Sequence, residues 1–291
     1  MPGAPDPVRL TGRYHTRGSL SPADIRSFRT AVMERFRANP RPMPWRETHD
    51  PYAILVSEIM LQQTQVERVR IKYSEFMASF PDCTALAAAP LEQVLAVWQG
   101  LGYNRRALAL KRCAAVIAGR PGSDFPRSIP DLEQLPGIGP YTARAVAAFA
   151  FGVAEPLIET NIRTLYIHFF FHDREKVDDR EILPLVEATL VRETPREWYY
   201  ALMDYGAYLK REHPNPGRRS RHHQRQSRFE GSNRQLRSRM LRAVMEQPGV
   251  TRAELLQLLG CEDEALAKNL AGLEQEGFIT ERHSGYAVRG K

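Results

Sequence analysis

Apolar residues recur at three- to four-residue spacing through most of the first 210 positions, which is typical of amphipathic α-helices. Ser21-Pro22 has the composition of a helix start, and Ile25, Phe28 and Val32 follow along one helical face. The same spacing predicts helices from Pro51 and near 66–80, 91–98, 103–119, 140–152, 161–171, 181–192 and 195–210. No alternating strand pattern of useful length occurs before residue 276, so this region is predicted to be all-α.

The composition changes after residue 210. Residues 211–232, here called the arginine-rich segment, contain Pro214-Asn-Pro-Gly217, which is expected to break any helix. Only Glu230 opposes the charge of the five arginines that follow: Arg218, Arg219, Arg221, Arg225 and Arg228. The pattern is typical of a solvated linker or of a basic segment that follows a phosphate backbone.

Residues 233–291 are predicted to form a separate domain of three helices and a hairpin. Thr251 and Glu254 have the spacing of a capping box, a third helix is expected over about 262–276, and strands over 277–280 and 286–288. This order resembles a winged-helix module, whose third helix often enters the DNA major groove. Because the third helix is acidic here, a protein-contact or spacer role is an equal alternative.

The chain is therefore divided into an N-terminal arm (1–20), a helical domain (21–210), the arginine-rich segment (211–232) and the C-terminal domain (233–291). Its 291 residues, 43% of them hydrophobic, can bury a sizeable core, and the net charge of +7 favours a polyanionic partner. We expect a monomer. Neither a signal peptide nor a membrane-span pattern is evident, so we also expect a cytoplasmic protein without a membrane partner.

The cysteine usage bears on metal chemistry. Cys83, Cys113 and Cys261 lie far apart, without a CxxC pair. This spacing argues against a disulfide framework, a zinc site or an iron–sulfur cluster, and we predict that no metal or other cofactor is bound.

A glycine turn is the strongest binding signal. Leu135-Pro-Gly-Ile-Gly-Pro-Tyr-Thr142 opens directly onto a helix. Because Gly137 and Gly139 carry no side chain, the backbone N–H groups there are expected to face outward and to suit a DNA phosphate.

Two glutamates are candidates for acid–base chemistry. Glu58 is the only charge in the apolar stretch Ile54–Leu61, where desolvation favours a protonated carboxyl group that can donate its proton. A position on the solvent-facing side of its helix is the alternative. Glu159 precedes a helix, so spacing alone favours a helix cap, and Tyr141 by pattern alone is a core aromatic.

These motifs together resemble the helix-hairpin-helix DNA glycosylases of the endonuclease III/MutY superfamily, and in particular its adenine glycosylase branch. The resemblance extends from Met43-Pro-Trp-Arg46 to Met203-Asp-Tyr-Gly-Ala207. It rests on PYAILVSEIMLQQTQV (51–66), WQGLGYNRRA (98–107), LPGIGPYTA and the helix at Asn161. The fold that it implies is mainly α, a helix-hairpin-helix glycosylase fold followed by the winged-helix-like domain.

The resemblance also implies roles for individual residues. Glu58 would protonate adenine, Tyr141 would face the sugar cation, and Asn161 would position the water or the sugar. Gln63 and Tyr103 would insert into the duplex where adenine leaves, with Leu61 and Gln62 lining the same place. Arg41, Trp45 and Arg46 match the start of the base pocket, and Gly137 and Gly139 would bind the phosphate.

Three features depart from the family pattern. Glu159 stands where the family has its catalytic aspartate. The four cysteines that hold an iron–sulfur cluster after the MDxGA motif are absent, and Tyr208–Gly217 occupies that region. The winged-helix-like domain also stands where the family has its 8-oxoguanine-sensing domain. We therefore expect Arg218, Arg219 and Arg221 to take over the DNA-facing role of the cluster region.

The resulting prediction is a monofunctional base-excision glycosylase that acts on double-stranded DNA with a mismatched or damaged base. Adenine opposite guanine or 8-oxoguanine is the leading substrate. Tyr141 and Asn104 also resemble pyrimidine-specific branches, so thymine or uracil opposite guanine is an alternative. A non-catalytic DNA-binding protein on the same fold is another, and a winged-helix transcription regulator is disfavoured by the acidic third helix.

Overall fold

The computed structural model describes residues 20–171, 173–224 and 228–290. Residues 1–19 of the predicted arm, and Arg225 of the arginine-rich segment, lie outside the described residues. None of the described helices is long and apolar enough to cross a membrane.

Helices dominate the described part of the chain. In order they are α1 (Pro22–Ala38), α2 (Pro51–Leu61), α3 (Val66–Ser79), α4 (Cys83–Ala88), α5 (Leu91–Trp98), α6 (Arg105–Ala118), α7 (Ile129–Glu133), α8 (Pro140–Phe151), α9 (Thr160–Phe170), α10 (Asp179–Thr189), α11 (Pro195–Glu212), α12 (Asn233–Glu246), α13 (Arg252–Leu259) and α14 (Asp263–Glu276). Short 3₁₀ turns lie at Pro44–Arg46, Pro121–Ser123 and Pro216–Arg219.

One small antiparallel sheet lies in the C-terminal region. It comprises β1 (Val250–Thr251), β2 (Ile279–Arg282) and β3 (Gly285–Val288), with β3 in the centre. Val250 of β1 pairs with Tyr286, and Ile279 of β2 pairs with Val288.

Periodicity predicted most of these elements correctly. Ser21 caps α1 in a capping box with Asp24, and Thr251 forms the predicted box with Glu254. The prediction missed α4, α7 and β1, which are six, five and two residues long, because periodicity needs longer windows to register. α11 ends at Glu212 and only a short 3₁₀ turn follows at Pro216–Arg219, so the expected break of the helix is confirmed.

The chain divides into two compact units, each built from separate stretches. Unit 1 contains Met1–Ile54, Arg127–Glu133 and Ile138–Arg225. Unit 2 contains Leu55–Pro126, Gln134–Gly137 and Gln226–Lys291. The predicted helical domain thus contributes to both units, because the chain passes from one to the other more than once, which local periodicity does not reveal.

The core of unit 1 surrounds α9. Phe28 of α1 contacts the rings of Tyr166, Phe169, Phe170 and Trp198 at centroid separations of 5.2 to 6.1 Å. All five side chains are buried, and such aromatic clusters supply much of the apolar area removed from water in a core. This packing anchors the helix whose first turn carries Glu159 and Asn161.

The core of unit 2 is built on α6, which packs against α4 and α5. Its buried residues include Leu110, Cys113 and Ile117, and Trp98 at the end of α5 is fully buried. Cys83 and Cys113 are free and buried, and burial raises the pKa of the Cys113 thiol to about 12. A thiol held neutral in this way is a packing residue.

Candidate active site

Glu159 is the N-cap of α9. One of its carboxylate oxygens accepts hydrogen bonds from the backbone N–H groups of Asn161 at 2.7 Å and Ile162 at 2.8 Å. Its other oxygen accepts from the side-chain amide of Asn161 at 3.2 Å. The interpretation of Glu159 as a helix cap is therefore correct. The same geometry fixes a carboxylate at the start of a helix, where it can face a developing cation.

The charge of Glu159 is set by opposing effects. Burial raises the pKa of its carboxyl group, whereas the two backbone N–H groups and the positive charges of Lys210 and Arg163 lower it. Arg163 is itself held by Asp179 through two hydrogen bonds of 2.6 and 2.7 Å. Lys210 of α11 was not singled out from the sequence, because it lies about fifty positions away along the chain.

Asn161 is held at both ends of its amide. Lys210 Nζ donates to its Oδ1 at 2.8 Å, and its Nδ2 donates to Glu159. Because a lysine can only donate, this bond fixes which way the amide points. A Cβ added to Gly206 would lie 2.0 Å from the backbone oxygen of Asn161, so only glycine lets α11 approach this closely. The orientation of Asn161 is therefore a product of the α9–α11 contact.

Glu58 lies in α2 and belongs to unit 2. Its side chain is 7% exposed, and the flanking Ser57 and Ile59 are 1% and 2% exposed. The alternative of a solvent-facing surface glutamate is therefore wrong. The Glu58 carboxyl group is therefore largely removed from water.

The two predicted duplex-inserting residues share an unusual backbone conformation. Gln63, just after α2, has φ of 53°, and Tyr103, just before α6, has φ of 48°. Residues other than glycine adopt positive φ rarely, and such strain concentrates at functional sites. Leu61 and Gln62 are half-buried, and Gln63 is exposed. The geometry is that of two tight turns presenting polar side chains at the surface of unit 2.

Arg106 forms hydrogen bonds to both of these turns. The sequence pattern did not single it out. Its guanidinium donates to the backbone oxygens of Ile59, Met60, Gln62, Leu101 and Gly102 and to the hydroxyl of Thr64. Burial lowers its pKa to about 10, which leaves it charged at neutral pH. One buried cation therefore satisfies the carbonyl groups at the end of α2 and fixes the turn before Tyr103.

The glycine turn leaves no room for a side chain at Gly137. Gly137 has φ of +77°, and a Cβ there would lie 2.6 Å from the Cβ of Ala109 in α6. Gly139 is the N-cap residue of α8, and no side chain caps this helix among the described residues. The start of α8 thus lacks a capping side chain from Gly139, and the phosphate-binding role of this turn stays a prediction. Tyr141 is half-buried in the first turn of the same helix.

The predicted base-pocket residues surround Asp204 of the MDxGA motif. Arg46 donates to both carboxylate oxygens of Asp204 at 2.7 and 2.9 Å, and Arg41 donates at 2.9 Å. Trp45 is 3% exposed. Arg41 and Asp204 also line a cavity of about 410 Å³, a size within the range of small-molecule pockets. Arg46 therefore has a structural role, and the base-pocket assignment stays a prediction.

The arginine-rich segment is only partly available to a partner. Arg219 donates to the backbone oxygen of Phe171 at 2.7 Å, and Arg221 pairs with Asp178 at 3.2 Å. Arg218 is exposed, and no described residue pairs with its guanidinium. Val177 and Ser220 form a β-bridge that fixes the segment to unit 1. Arg218 is therefore the most available of the three arginines, and the DNA-facing role expected of all three stays a prediction.

We expect Arg218→Ala to reduce the slope of log binding constant against log salt by about one, because one phosphate contact is lost. Arg219→Ala should instead lower the melting temperature, since it removes one of the two hydrogen bonds that the Phe171 carbonyl accepts. Fluorescence anisotropy of a labelled duplex over a salt series and thermal unfolding measure the two effects. A salt slope unchanged in Arg218→Ala contradicts the assignment.

The region that the resemblance assigns to an iron–sulfur cluster does not fit one. Tyr208–Gly217 contains no cysteine. Lys210 is engaged with Asn161, and a Cβ on Gly217 would lie 2.6 Å from the hydroxyl of Thr164. Among the described residues no group of three or more His, Cys, Asp or Glu side chains is arranged to hold a metal.

Comparisons with known proteins identify the class. The family model described as HhH-GPD superfamily base excision DNA repair protein matches residues 56–192. The chain belongs to this superfamily. It is 33% identical over 270 residues to the adenine DNA glycosylase of Mycolicibacterium smegmatis, covering 86% of this chain and 92% of that protein.

Other relatives are similar over less of their length. The adenine DNA glycosylase of Mycobacterium tuberculosis (strain H37Rv) is 39% identical over 186 residues, covering 61% of this chain and 60% of that protein. A solved structure of a thermostable thymine-DNA glycosylase has a TM-score of 0.55 and 26% identity, covering 63% of this chain and 86% of that one. The predicted mainly α, helix-hairpin-helix fold is confirmed, whereas the winged-helix-like description of residues 233–291 stays a prediction.

Proposed function

We propose that this chain is a monofunctional DNA N-glycosylase that removes adenine from a mismatched pair in double-stranded DNA. Two carboxyl groups in different environments are the observation that carries the proposal. Glu58 is buried in an apolar helix, and Glu159 is held at a helix N-terminus by two backbone N–H groups. Glycoside-cleaving enzymes divide acid and cation-stabilising work between two such groups.

The chemical steps assign one role to each acid. Glu58 protonates the leaving base, because a neutral purine leaves more readily than its anion. The sugar then carries positive charge, which the carboxylate of Glu159 stabilises. Tyr141 would lie against that sugar, and Asn161, fixed by Lys210, would orient the attacking water. The product is free base and an abasic site, and strand cleavage is expected to be weak.

We favour adenine as the excised base because similar proteins are named as adenine DNA glycosylases. The M. smegmatis protein, similar over 92% of its length, is named as an adenine DNA glycosylase. From the sequence motifs we also infer that the base paired with this adenine is guanine or 8-oxoguanine. The similarity to a thymine-DNA glycosylase supports thymine opposite guanine as a second candidate.

A panel of duplexes containing A:8-oxoG, A:G, T:G, U:G and A:T pairs tests the proposal. Alkaline cleavage after incubation reports base release. Cleavage of the adenine strand at A:8-oxoG or A:G pairs is the expected result, whereas release confined to T:G or U:G pairs supports the second candidate. Binding without release from any duplex would support the non-catalytic alternative. Iron analysis and the absorbance spectrum of the same preparation test our proposal that no cluster is bound.

The acid limb of the pH–rate profile should depend on Lys210. Glu159 must be ionised to stabilise the cation, and the charge of Lys210 opposes the rise of its pKa on burial. Arg163, paired with Asp179, acts in the same direction as Lys210. Lys210→Gln removes the lowering effect, so the pKa of Glu159 rises and activity is lost at a higher pH.

Single-turnover rates between pH 5 and 9 measure this shift, and Lys210→Arg is the control that keeps the charge. An acid limb at the same pH in wild type and Lys210→Gln would contradict this role of Lys210. A covalent adduct trapped by borohydride in wild type and absent from Lys210→Gln would instead make Lys210 a nucleophile.

A further inference from the structure

The C-terminal domain (233–291), here also called the C-terminal region, makes a direct contact with Tyr103. Arg234, in the first turn of α12, donates through Nη1 to the Tyr103 hydroxyl at 2.6 Å. The centre of its guanidinium also lies 5.6 Å from the centroid of the Tyr103 ring. Both residues belong to unit 2 and both are partly buried. A charged donor makes one of the stronger types of hydrogen bond to a phenol oxygen.

Tyr103 is held at its backbone as well. Its φ is positive, and Arg106 donates to the backbone oxygens of Leu101 and Gly102, at 3.1 and 3.0 Å, immediately before it. The Arg106 guanidinium also lies 5.4 Å from the Tyr103 ring centroid. Arg106 therefore fixes the backbone that carries the Tyr103 side chain, and Arg234 fixes the position of the Tyr103 hydroxyl.

A second set of contacts holds the C-terminal region on α6, the helix that follows Tyr103. The Glu276 carboxylate, at the end of α14, accepts two hydrogen bonds from Arg105, at 2.7 and 2.6 Å, and also pairs with Arg237 at 2.9 Å. Arg112 donates to the backbone oxygen of Glu276 at 2.9 Å. The Arg105 and Arg237 guanidinium groups lower the pKa of this carboxyl group, so it stays ionised at neutral pH.

These contacts give one acidic residue of α14, the predicted third helix, a structural role. Glu276, the last residue of α14, attaches the C-terminal domain (233–291) to the start of α6, two positions beyond Tyr103. The attachment brings the start of α12, with Arg234, to the hydroxyl of Tyr103.

We propose that Arg234 is a positioning residue that presets the Tyr103 side chain for entry into the duplex, so that the C-terminal region contributes to discrimination between mismatched and matched pairs. This inference rests on the proposed function, which assigns Tyr103 to the distorted duplex. A side chain already held in one orientation loses less conformational freedom on binding. A mismatched base pair is already weakened, so insertion of the held Tyr103 side chain costs less free energy there than at a matched pair. The difference in affinity between the two duplexes therefore increases.

A double-mutant cycle tests the coupling. Arg234→Met removes the donor and keeps most of the side-chain volume, and Tyr103→Phe removes only the hydroxyl. Each change should lower the ratio of affinities for an A:8-oxoG duplex over an A:T duplex by about tenfold. The double variant should be no worse than Tyr103→Phe alone, because both changes break one interaction. Arg239→Met, an exposed arginine on the same helix, is the control.

The salt dependence separates positioning from direct contact with DNA. A positioning residue leaves the slope of log binding constant against log salt unchanged, whereas loss of a phosphate contact reduces it by about one. Additive losses in the double variant, a reduced slope in Arg234→Met, or a wild type with no preference for A:8-oxoG would each overturn the inference. Melting temperatures of all variants check that the C-terminal region stays folded. Base release by the wild type reports separately on the proposed function.

Discussion

Glu58→Gln is expected to slow adenine release by about 10³-fold, within the range ascribed to general acid catalysis, and to leave duplex binding largely intact. The amide has nearly the same shape as the acid but cannot deliver the proton that the leaving base needs. Because Glu58 is only 7% exposed, an isosteric change disturbs the packing of α2 least. Single-turnover excision from an A:8-oxoG duplex and anisotropy binding measure the two quantities.

The matched control is Glu67→Gln, which makes the same chemical change on α3 at a side chain that is 80% exposed. This variant should excise adenine at the wild-type rate. If Glu58→Gln retains that rate as well, the proton must come from another group or from solvent, and the assignment of Glu58 as the acid is wrong.

Glu159→Gln is expected to lower the excision rate by about 10²- to 10³-fold, the scale seen when an electrostatic stabiliser of a charged transition state is removed. Glutamine keeps a side-chain oxygen that can accept from the N–H groups of Asn161 and Ile162, so the helix cap is largely retained. Loss of rate with little change in melting temperature would therefore separate the catalytic role from the capping role.

Asp178→Asn tests the effect of a weakened helix cap, together with the loss of charge from the Asp178–Arg221 pair. Asp178 is the N-cap of α10 and accepts from the N–H of Arg180 at 3.0 Å. Asp178→Asn should change the melting temperature by about as much as Glu159→Gln does, and it should leave the excision rate unchanged. If Asp178→Asn and Glu159→Gln lower the rate equally, the effect of Glu159 on rate is structural.

The length of the side chain at position 159 is a separate question. Glu159→Asp restores the residue that the family pattern has, and aspartate is also a good N-cap. We expect a loss of about 100-fold, because displacement of a catalytic group by about 1 Å can cost that much. A variant faster than the wild type would mean that this pocket still fits the shorter side chain.

Much of the local structure could be predicted because it depends on neighbours in sequence. The spacing of apolar residues predicted the long helices, and capping residues marked the starts of α1 and α13. The same logic placed Glu58 on an apolar helix and Glu159 just before α9. Short elements such as α4 and β1 were missed, because too few residues carry their pattern.

The contacts around the candidate site could not be predicted in this way. Lys210 reaches Asn161 because Gly206 lets α11 approach α9, and Arg106 gathers carbonyl groups from two turns about forty residues apart. Spacing along the chain carries no information on such pairs, since they depend on how helices pack.

Local sequence predicts the chemical groups and the helices that carry them: two glutamates, a glycine turn, and the side chains of Gln63 and Tyr103. Their surroundings come from the packing of distant segments, which buries Glu58, places donors and cations around Glu159, and brings Arg234 to Tyr103. Helix formation depends on residues a few positions apart, whereas burial and electrostatic environment depend on residues distant in the chain.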